Sequence, residues 1–246
     1  MMVSDFHSHV LPGIDDGSGT VEESMAMLRM EAEQGISRVI ATPHFYAHHD
    51  RPERFLERRK AAAELLHRHM EGQTGLPMVE LGAEVYFFQG MSECDALSQL
   101  TIGQNRSILI EMPPAPWTRS MYRELEQIWT RQRLIPVLAH LDRYIAPLRS
   151  GSVLRQLEEL PLMVQANGDF FLRRSTMAFA VKLLRQNRIH VLGSDCHNTG
   201  RRPPNLGAAL DVIRSRCGEG ILDRIRDNER EILWNSFNAV EIDQEV

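Results

Sequence analysis

The sequence contains few cysteines and no long apolar run. Its 3 cysteines, Cys94, Cys196 and Cys217, are odd in number and far apart in a chain of 246 residues, which is not a disulfide framework. We therefore expect a cytoplasmic protein in a reducing compartment. No apolar run approaches the ~20 residues that a membrane span requires, and no cationic segment leads into an apolar stretch as in a secretory signal. These absences predict no membrane insertion.

The chain also lacks an excess of positive charge. It has 28 Lys and Arg against 33 Asp and Glu, for a formal net charge of −5. A protein that wraps duplex nucleic acid must neutralise phosphates, so this balance, without a long basic run, argues against a nucleic-acid partner. The length allows one large domain or two small ones. No repeat, low-complexity tract or Gly/Ser linker divides it.

Short apolar runs alternate with longer helical patterns along the whole chain. The predicted strands are residues 3–6, 38–42, 78–88, 107–111, 135–139, 162–166 and 189–193. The predicted helices are residues 20–35, 52–71, 119–132, 176–186, 206–216 and 221–240. Thr20 and Glu23 have the capping-box spacing at the start of the first helix. Seven strands that alternate with helices predict an α/β fold with a parallel sheet.

Every predicted strand except the sixth runs into side chains that bind metals. In chain order these are His7, His9, His44, Glu84, Glu111, His140, Asp195 and His197, with Asp15 and Asp16 in the turn after the first strand. Because active sites gather at the C-terminal strand ends of parallel barrels, this pattern favours a closed or nearly closed barrel. Mixed histidine and carboxylate ligands suit Mn, Fe or Zn.

Each of these motifs has an ordinary structural explanation when it is taken alone. A histidine pair such as His7 and His9 is more often part of a surface strand than a metal site. Glu84 and Glu111 lie in apolar strands, where a buried charge needs a partner, so each could be half of a salt bridge to an arginine. Chance rarely places so many ligand types at strand ends, and the joint pattern therefore favours a metal centre.

Six segments in this order and spacing resemble the polymerase-and-histidinol-phosphatase (PHP) superfamily. They are DFHSH, TPHF, GAEVY, LIEMP, AHLDRY and SDCHN. The opening HSHVLPGIDDGS is similar to the metal-dependent tyrosine-protein phosphatases of bacterial capsule and exopolysaccharide operons. The resemblance runs from Asp5 to about Pro204. It implies a distorted seven-stranded (β/α)7 barrel of PHP type, a single phosphatase domain over residues 1–246, and three divalent metal ions at the rim, usually manganese.

The resemblance also implies which residues hold each ion. The first set is His7, His9, Glu84 and Asp195. The second set shares Glu84 and adds Glu111 and His140. The third set is Asp16, His44 and His197. Asp5 and Asp15 would orient histidines rather than bind an ion.

Small departures from the family pattern surround this set. Leu141 and Asp142 stand where relatives usually have Pro and Glu, which affects the surroundings of Arg143. Cys196 stands where a small Ala is common. Neither departure removes a proposed ligand.

The implied cluster suits the hydrolysis of a phosphate monoester. Four carboxylates and three divalent ions, −4 and +6, leave a charge of about +2, and a hydroxide that bridges two metals would attack phosphorus in line. The phenol of tyrosine, with a pKa of about 10, is a fair leaving group. Arg143, and Arg201 or Arg202, could fork onto phosphate oxygens, although the last two could also be solvated loop charges. Residues 45–49, which include Phe45, Tyr46, His48 and His49, either line the substrate cleft or pack on the rim.

A cysteine-dependent mechanism is the rival within the same segment. Cys196 and Arg202 have the C-x5-R spacing of cysteine-dependent tyrosine phosphatases. Asp195 would raise the pKa of the adjacent thiol, and Cys196 would face away from the side chains of Asp195 and His197. We therefore expect the metal mechanism.

The function expected from the sequence is that of a metal-dependent protein-tyrosine phosphatase. Its substrate would be a phosphotyrosyl protein, either a bacterial tyrosine autokinase or the substrates of that kinase. The alternatives are a small-molecule phosphatase of the histidinol-phosphate type and, in another class, a non-catalytic metal-binding regulatory module.

Overall fold

Strands and helices alternate through residues 3–103, 105–148 and 151–234, the parts of the chain that a computed structural model describes. The strands are β1 (Asp5–Ser8), β2 (Arg38–Ala41), β3 (His44–Phe45), β4 (Met78–Leu81), β5 (Glu84–Tyr86), β6 (Ser107–Glu111), β7 (Ile135–Leu138), β8 (Met163–Asn167) and β9 (Val191–Gly193). The helices are α1 (Val21–Glu33), α2 (Pro52–Met70), α3 (Arg119–Gln132), α4 (Leu141–Leu148), α5 (Gly151–Glu158), α6 (Gly168–Leu172), α7 (Met177–Arg185), α8 (Leu206–Cys217) and α9 (Glu219–Trp234).

All strand pairings among the described residues are parallel. One sheet has the order β1-β2-β4 and the other the order β3-β5-β6-β7-β8-β9. Ser8, at the end of β1, forms a parallel bridge with Cys196, which follows β9. The strands therefore form a curled parallel sheet with helices outside it, and the C-terminal ends of the strands meet at one rim.

The predicted strand 78–88 is interrupted, and the predicted strand 38–42 is followed by a short strand that was not predicted. Residues 38–42 and the following loop become β2 and β3, separated by Thr42 and Pro43, and proline has no N–H to donate to a ladder. Residues 78–88 become β4 and β5, separated at Gly82, where a Cβ would lie 3.3 Å from Thr42 Cγ2. The two breaks lie side by side, so the sheet bends at this point.

The other differences from the predicted elements lie at their ends and in short helices. β1 begins two residues later than predicted, and β6 and α3 have the predicted bounds. The predictions missed α4, α5 and α6, which have only 8, 8 and 5 residues. The last predicted helix, residues 221–240, corresponds to α9, and residues 235–240 lie outside the described residues. No helix among the described residues combines the length and the apolar character needed to cross a membrane.

Apolar side chains fill the space inside the curled sheet below the rim. Phe6, Leu109, Val137, Met163 and Val191 belong to this inner core, each no more than 8% exposed. A second, larger core lies between the sheet and the helices. The inner core is an apolar layer directly below the polar rim.

An extra residue in β1 marks the change from the apolar inner core to the polar rim. Asp5 pairs with Val39 and Ser8 with Ala41, so three steps along β1 oppose two along β2. Such a bulge re-aims side chains. Phe6 therefore joins the inner core, while the next residue, His7, contacts the polar side chains at the rim.

Candidate metal centre

Four buried side chains from three parts of the sheet converge at the rim. His7 and His9 come from β1 and the residue after it, Glu84 from β5 and Asp195 from the loop after β9. The His7 and His9 Nε2 atoms are 3.2 Å apart. Glu84 Oε2 lies 3.1 Å from His7 Nε2 and 3.4 Å from His9 Nε2. Asp195 Oδ1 lies 3.6 Å from both nitrogens.

These separations have the size of the edges of a metal coordination shell. Ligands 2.0–2.2 Å from one ion are separated by about 3.0 Å in an octahedron and about 3.4 Å in a tetrahedron. Moreover, Glu84 Oε2 is buried and accepts no hydrogen bond from any described residue. A polar atom buried in this way is costly unless it is satisfied, and a cation would satisfy it. The residues present therefore fit a metal ion.

The second oxygen of Glu84 faces a different group. Glu84 Oε1 lies 2.8 Å from His140 Nε2, which lies 3.4 Å from Glu111 Oε1. His44 also approaches Glu84, with its Nδ1 2.9 Å from Oε2. His44, Glu84 and Glu111 offer ligand atoms within 4.8 Å of one another. The carboxylate of Glu84 thus lies between two ligand groups.

A third group lies nearest to solvent. Asp16 Oδ1 is 3.4 Å from His44 Nε2 and 3.6 Å from His197 Nε2. The side chain of Asp16 is 70% exposed. These three residues and His9 offer ligand atoms within 4.8 Å of one another. The structure therefore brings all nine predicted ligands to one rim.

Neighbouring histidines and Arg143 keep the central carboxylates ionised. Burial alone would raise the pKa of Glu84, but the nearby His7 and His140 outweigh burial and lower it well below its usual value. Burial opposes ionisation of Asp195 as well, but His7 and Arg143 lower its pKa. The rim therefore presents negative charge to a cation.

Asp15 orients two histidines. Its Oδ2 lies 2.7 Å from His9 Nδ1 and accepts a hydrogen bond of 3.0 Å from the His44 backbone N–H. Burial would raise the pKa of Asp15, but the bond to His9 lowers it to about 2. The predicted orienting role of Asp15 agrees with these contacts. Asp5 instead accepts from the His7 backbone N–H and does not contact the ring of His7 in the described structure.

Comparison with known proteins gives this rim its context. Residues 3–234 match the family model described as capsular polysaccharide synthesis, CpsB/CapC. The chain belongs to the CpsB/CapC family. Tyrosine-protein phosphatase CpsB of Streptococcus pneumoniae is 27% identical over 95% of this chain and 99% of its own length. Tyrosine-protein phosphatase YwqE of Bacillus subtilis is 29% identical over 94% of this chain and 91% of its own length.

A solved structure supports the same relationship. A chain from the crystal structures of YwqE and CpsB, described as unique metal-dependent tyrosine phosphatases, matches with a TM-score of 0.84 at 27% identity, over 95% of each chain. The sequence resemblance to the metal-dependent tyrosine phosphatases is therefore confirmed. So is a mixed α/β fold with a curled parallel sheet.

Two of the three predicted arginines of this CpsB/CapC chain reach the cluster. Arg143 Nη2 bonds Asp195 and its Nη1 lies 3.4 Å from Glu111 Oε1. Arg202 Nη2 lies 2.6 Å from Asp195 Oδ1. Arg201 is exposed and, together with Arg143 and Arg202, lines a cleft beside the cluster. Glu111 thus has the arginine neighbour that the simple salt-bridge explanation required, whereas Glu84 pairs with histidines.

The C-x5-R segment of this family member does not form a phosphate loop. Cys196 is fully buried, and its Sγ lies 3.8 Å from Glu31 Oε1, away from the rim. Burial, Glu31 and Asp5 raise the pKa of the Cys196 thiol well above its usual value. Asn198 Oδ1 accepts hydrogen bonds from the backbone N–H groups of residues 200, 201 and 202, the groups that would have to cradle phosphate. The geometry excludes the cysteine mechanism.

Two clefts flank the cluster. One, of about 510 Å³, is lined by residues that include Asp16, Tyr46, His49 and Arg54. The other, of about 500 Å³, is lined by residues that include Arg143, Arg201 and Arg202. The two explanations for residues 45–49 both apply in part: Phe45 is buried against Phe55 at a ring distance of 5.1 Å, while Tyr46 and His49 line the first cleft.

Sequence reasoning missed two side chains of β8. Gln165 and Asn167 are buried at the rim and contact His7, His140 and Asp195. Their strand carries no histidine or acid, so it was the one strand without a candidate ligand. The period-2 pattern of β8 was the available signal, because polar residues two apart on a buried strand share a face.

Proposed function

We propose that this chain is a metal-dependent protein-tyrosine phosphatase that hydrolyses phosphotyrosine in a bacterial tyrosine autokinase or its substrates, in capsule and exopolysaccharide synthesis. The observation that carries the proposal is the position of Glu84 between two ligand groups, with a third group beside them. The names of the relatives, CpsB and YwqE, support the phosphotyrosyl substrate.

The proposed centre holds three divalent ions, with Mn favoured and Fe or Zn as alternatives. The first would be held by His7, His9, Glu84 and Asp195. The second would be held by Glu84, Glu111 and His140. The third would be held by Asp16, His44 and His197. When bound, the ions supply positive charge for the phosphate oxygens and lower the pKa of an attacking water.

The arginines of the chain bind and orient the phosphate. Arg143 and Arg202 both contact Asp195 and are each 40% exposed, so they border the cleft as well as the cluster. A guanidinium presents paired N–H donors that match two phosphate oxygens. Glu111, 3.4 Å from Arg143, holds that guanidinium toward the cluster. Arg201 lines the same cleft as Arg143 and Arg202 and is the third proposed contact.

The cleft lined by Tyr46 and His49 receives the aromatic ring of the phosphotyrosyl side chain. The Tyr46 ring lies 5.3 Å from the His44 ring and 5.5 Å from the Tyr86 ring, so an aromatic surface begins beside a proposed ligand. An aryl leaving group packs favourably on such a surface. Since the phenolate is a fair leaving group, the site does not require a strong general acid.

The proposed fold is the seven-stranded barrel of PHP type, in one domain over residues 1–246. If β2 with β3, and β4 with β5, are each taken as one interrupted strand, seven strand positions remain, and the bridge from Ser8 to Cys196 closes the ring. The proposal includes a cytoplasmic location and no nucleic-acid partner.

A substrate comparison tests this function. The purified protein is assayed with a phosphotyrosyl peptide and with histidinol phosphate, after chelation and after the return of Mn²⁺. We expect turnover of the peptide that is lost on chelation and restored by Mn²⁺. A preference for histidinol phosphate would favour a small-molecule phosphatase. No turnover of either compound or of a generic aryl phosphate would indicate a binding module.

A further inference from the structure

We infer that Gln165 and Asn167 of β8 are positioning residues that fix the orientation of three proposed ligands, His7, His140 and Asp195. The inference rests on the proposed metal centre and assigns a role to β8, the strand of the seven predicted from the sequence that neither contains nor runs into a proposed ligand. Both side chains are buried, with Gln165 0% and Asn167 7% exposed.

The orientation of the Gln165 amide follows from one backbone group. The His140 N–H donates to it over 2.5 Å, and an N–H can only donate, so the atom that faces it must be the carbonyl oxygen Oε1. The same oxygen lies 3.3 Å from His7 Nδ1. An oxygen acceptor at this position requires a proton on Nδ1. The lone pair of His7 is then on Nε2, the nitrogen that faces Glu84 and Asp195.

The other end of the amide fixes Asn167 in turn. Gln165 Nε2 donates to Asn167 Oδ1 over 2.9 Å, which leaves Asn167 Nδ2 to donate to Asp195 Oδ2 over 3.0 Å. The remaining oxygen of Asp195, Oδ1, is the one that lies 3.6 Å from the Nε2 atoms of His7 and His9. One unbroken series of hydrogen bonds therefore decides which atom of each ligand faces the cluster.

Backbone conformation gives independent support. Among the described non-glycine residues with positive φ, Arg133 and Asn187 directly follow or nearly follow helices, while His140 (φ 30°) and Asp195 (φ 55°) are proposed ligands. Such conformations cost energy for a residue with a Cβ, although Asp and His adopt them more readily than most, and they persist where the surroundings hold them. Both are held from β8: the His140 N–H by Gln165 and the Asp195 carboxylate by Asn167.

Strand β9 passes close to the Gln165 amide. A Cβ on Gly193 would lie 2.6 Å from Gln165 Nε2 and 2.5 Å from His7 Cβ, so only glycine allows β9 to approach this closely. Residues that orient metal ligands through hydrogen bonds contribute to affinity although they do not touch the ion.

Metal affinity of matched variants tests the inference. Mn²⁺ and Zn²⁺ binding is measured by competition with a chelator for the wild type, Gln165→Leu, Gln165→Glu and Val164→Ala. We expect Gln165→Leu to lower affinity roughly 10- to 100-fold. Gln165→Glu keeps the acceptor for His7 and His140 but removes the donor to Asn167, so it should lose less affinity than Gln165→Leu without reaching wild type. Val164 lies on the opposite face of β8 in the outer core, so Val164→Ala controls for lost packing.

A spectroscopic measurement on the wild type is independent of any variant. In the Zn²⁺-loaded protein with ¹⁵N-labelled histidine, we expect the ring proton of His7 on Nδ1, with the signal assigned by its loss in His7→Gln. A proton on Nε2 would overturn the inference even if Gln165→Leu did not fold. Unchanged metal affinity in Gln165→Leu, or an equal loss in Val164→Ala, would also overturn it. If the wild type bound no metal, the proposed function itself would fail.

Discussion

Two buried clusters that contain acidic side chains each include a residue of strand β1, and the pKa values of their carboxyl groups shift in opposite directions. At the rim, Glu84 and Asp195 lie 3.1–3.6 Å from the Nε2 atoms of His7 and His9. Behind the rim, Asp5, Glu31 and Cys196 also offer ligand atoms within 4.8 Å of one another. However, no ion pair in the described part of the chain reaches Asp5 or Glu31. Proximity and burial alone therefore do not distinguish a metal centre from a structural cluster.

The neighbours of the carboxyl groups distinguish the two clusters. Histidines lower the pKa of Glu84, whereas burial and the nearby Asp5 raise the pKa of Glu31 well above its usual value. Burial likewise raises the pKa of Asp5. The carboxylates of the rim are therefore held in their ionised form, while burial favours the neutral form of the carboxyls in the second cluster. The second cluster fixes the backbone beside the site, because Asp5 accepts hydrogen bonds from the His7 and Ser194 N–H groups.

The largest expected effect is that of Glu84→Gln. The variant keeps the size of the side chain and removes the charge that offsets the repulsion of two ions, so the first and second ion sites should both weaken. We expect a folded protein with fewer bound metals and a loss of phosphatase activity of at least ~10²-fold, measured by steady-state kinetics and elemental analysis. A full metal complement with near-normal turnover would make Glu84 an ordinary salt-bridge partner.

Arg143→Ala should have a smaller and different effect. The guanidinium contacts Asp195 and Glu111 without being a proposed ligand, so its loss should lower kcat by about tenfold or more while metal content stays intact. Kinetics and metal analysis of the same preparation separate the two effects. Loss of metal in this variant would assign Arg143 a structural role.

Features that depend on residues close together in the sequence could be predicted, whereas features that depend on tertiary contacts could not. β6 and α3 were predicted with their observed bounds, because a continuous apolar run and an amphipathic pattern are local signals. The ligand types at strand ends were visible for the same reason. The pairing of Glu31 with Asp5 was not visible, because it joins a helix to a strand through tertiary packing.

The site geometry contains further features that no local pattern encodes. The bulge in β1 depends on its pairing with β2, and the positive φ of Asp195 depends on the loop after β9. Gln165 and Asn167 are neutral amides, which carry no charge or metal-ligand signal in the sequence. Their role follows only from the neighbours that the fold places beside them.

Cys196→Ser should retain most of the activity. The Cys196 side chain packs toward Glu31 rather than toward the rim, and a serine is of similar size. Turnover before and after iodoacetamide treatment of the wild type provides a second measurement, since a fully buried thiol with a raised pKa reacts slowly. A loss as deep as that of Glu84→Gln would contradict the comparison.

Glu31→Gln is the matched counterpart of Glu84→Gln and should have the smallest effect on activity. The folded pKa of Glu31 is raised, so its contribution to stability is complete below the unfolded value of 4.5 and declines as the pH rises. Gln cannot ionise. The free energy of unfolding of the variant, relative to wild type, should therefore increase with pH above 4.5, by at most about 1.4 kcal/mol per pH unit. Denaturant unfolding from pH 5 to 8 measures it, and a difference that falls with pH would contradict the assignment.

The most direct test of the central claim is the turnover of a phosphotyrosyl peptide by chelated protein as Mn²⁺ is returned, plotted against the number of Mn²⁺ ions bound per chain. If the histidine-rich rim is the active centre, turnover is absent in the chelated protein and rises to its maximum as the bound ions approach three. Full turnover in the chelated protein, with no metal bound, would contradict the account.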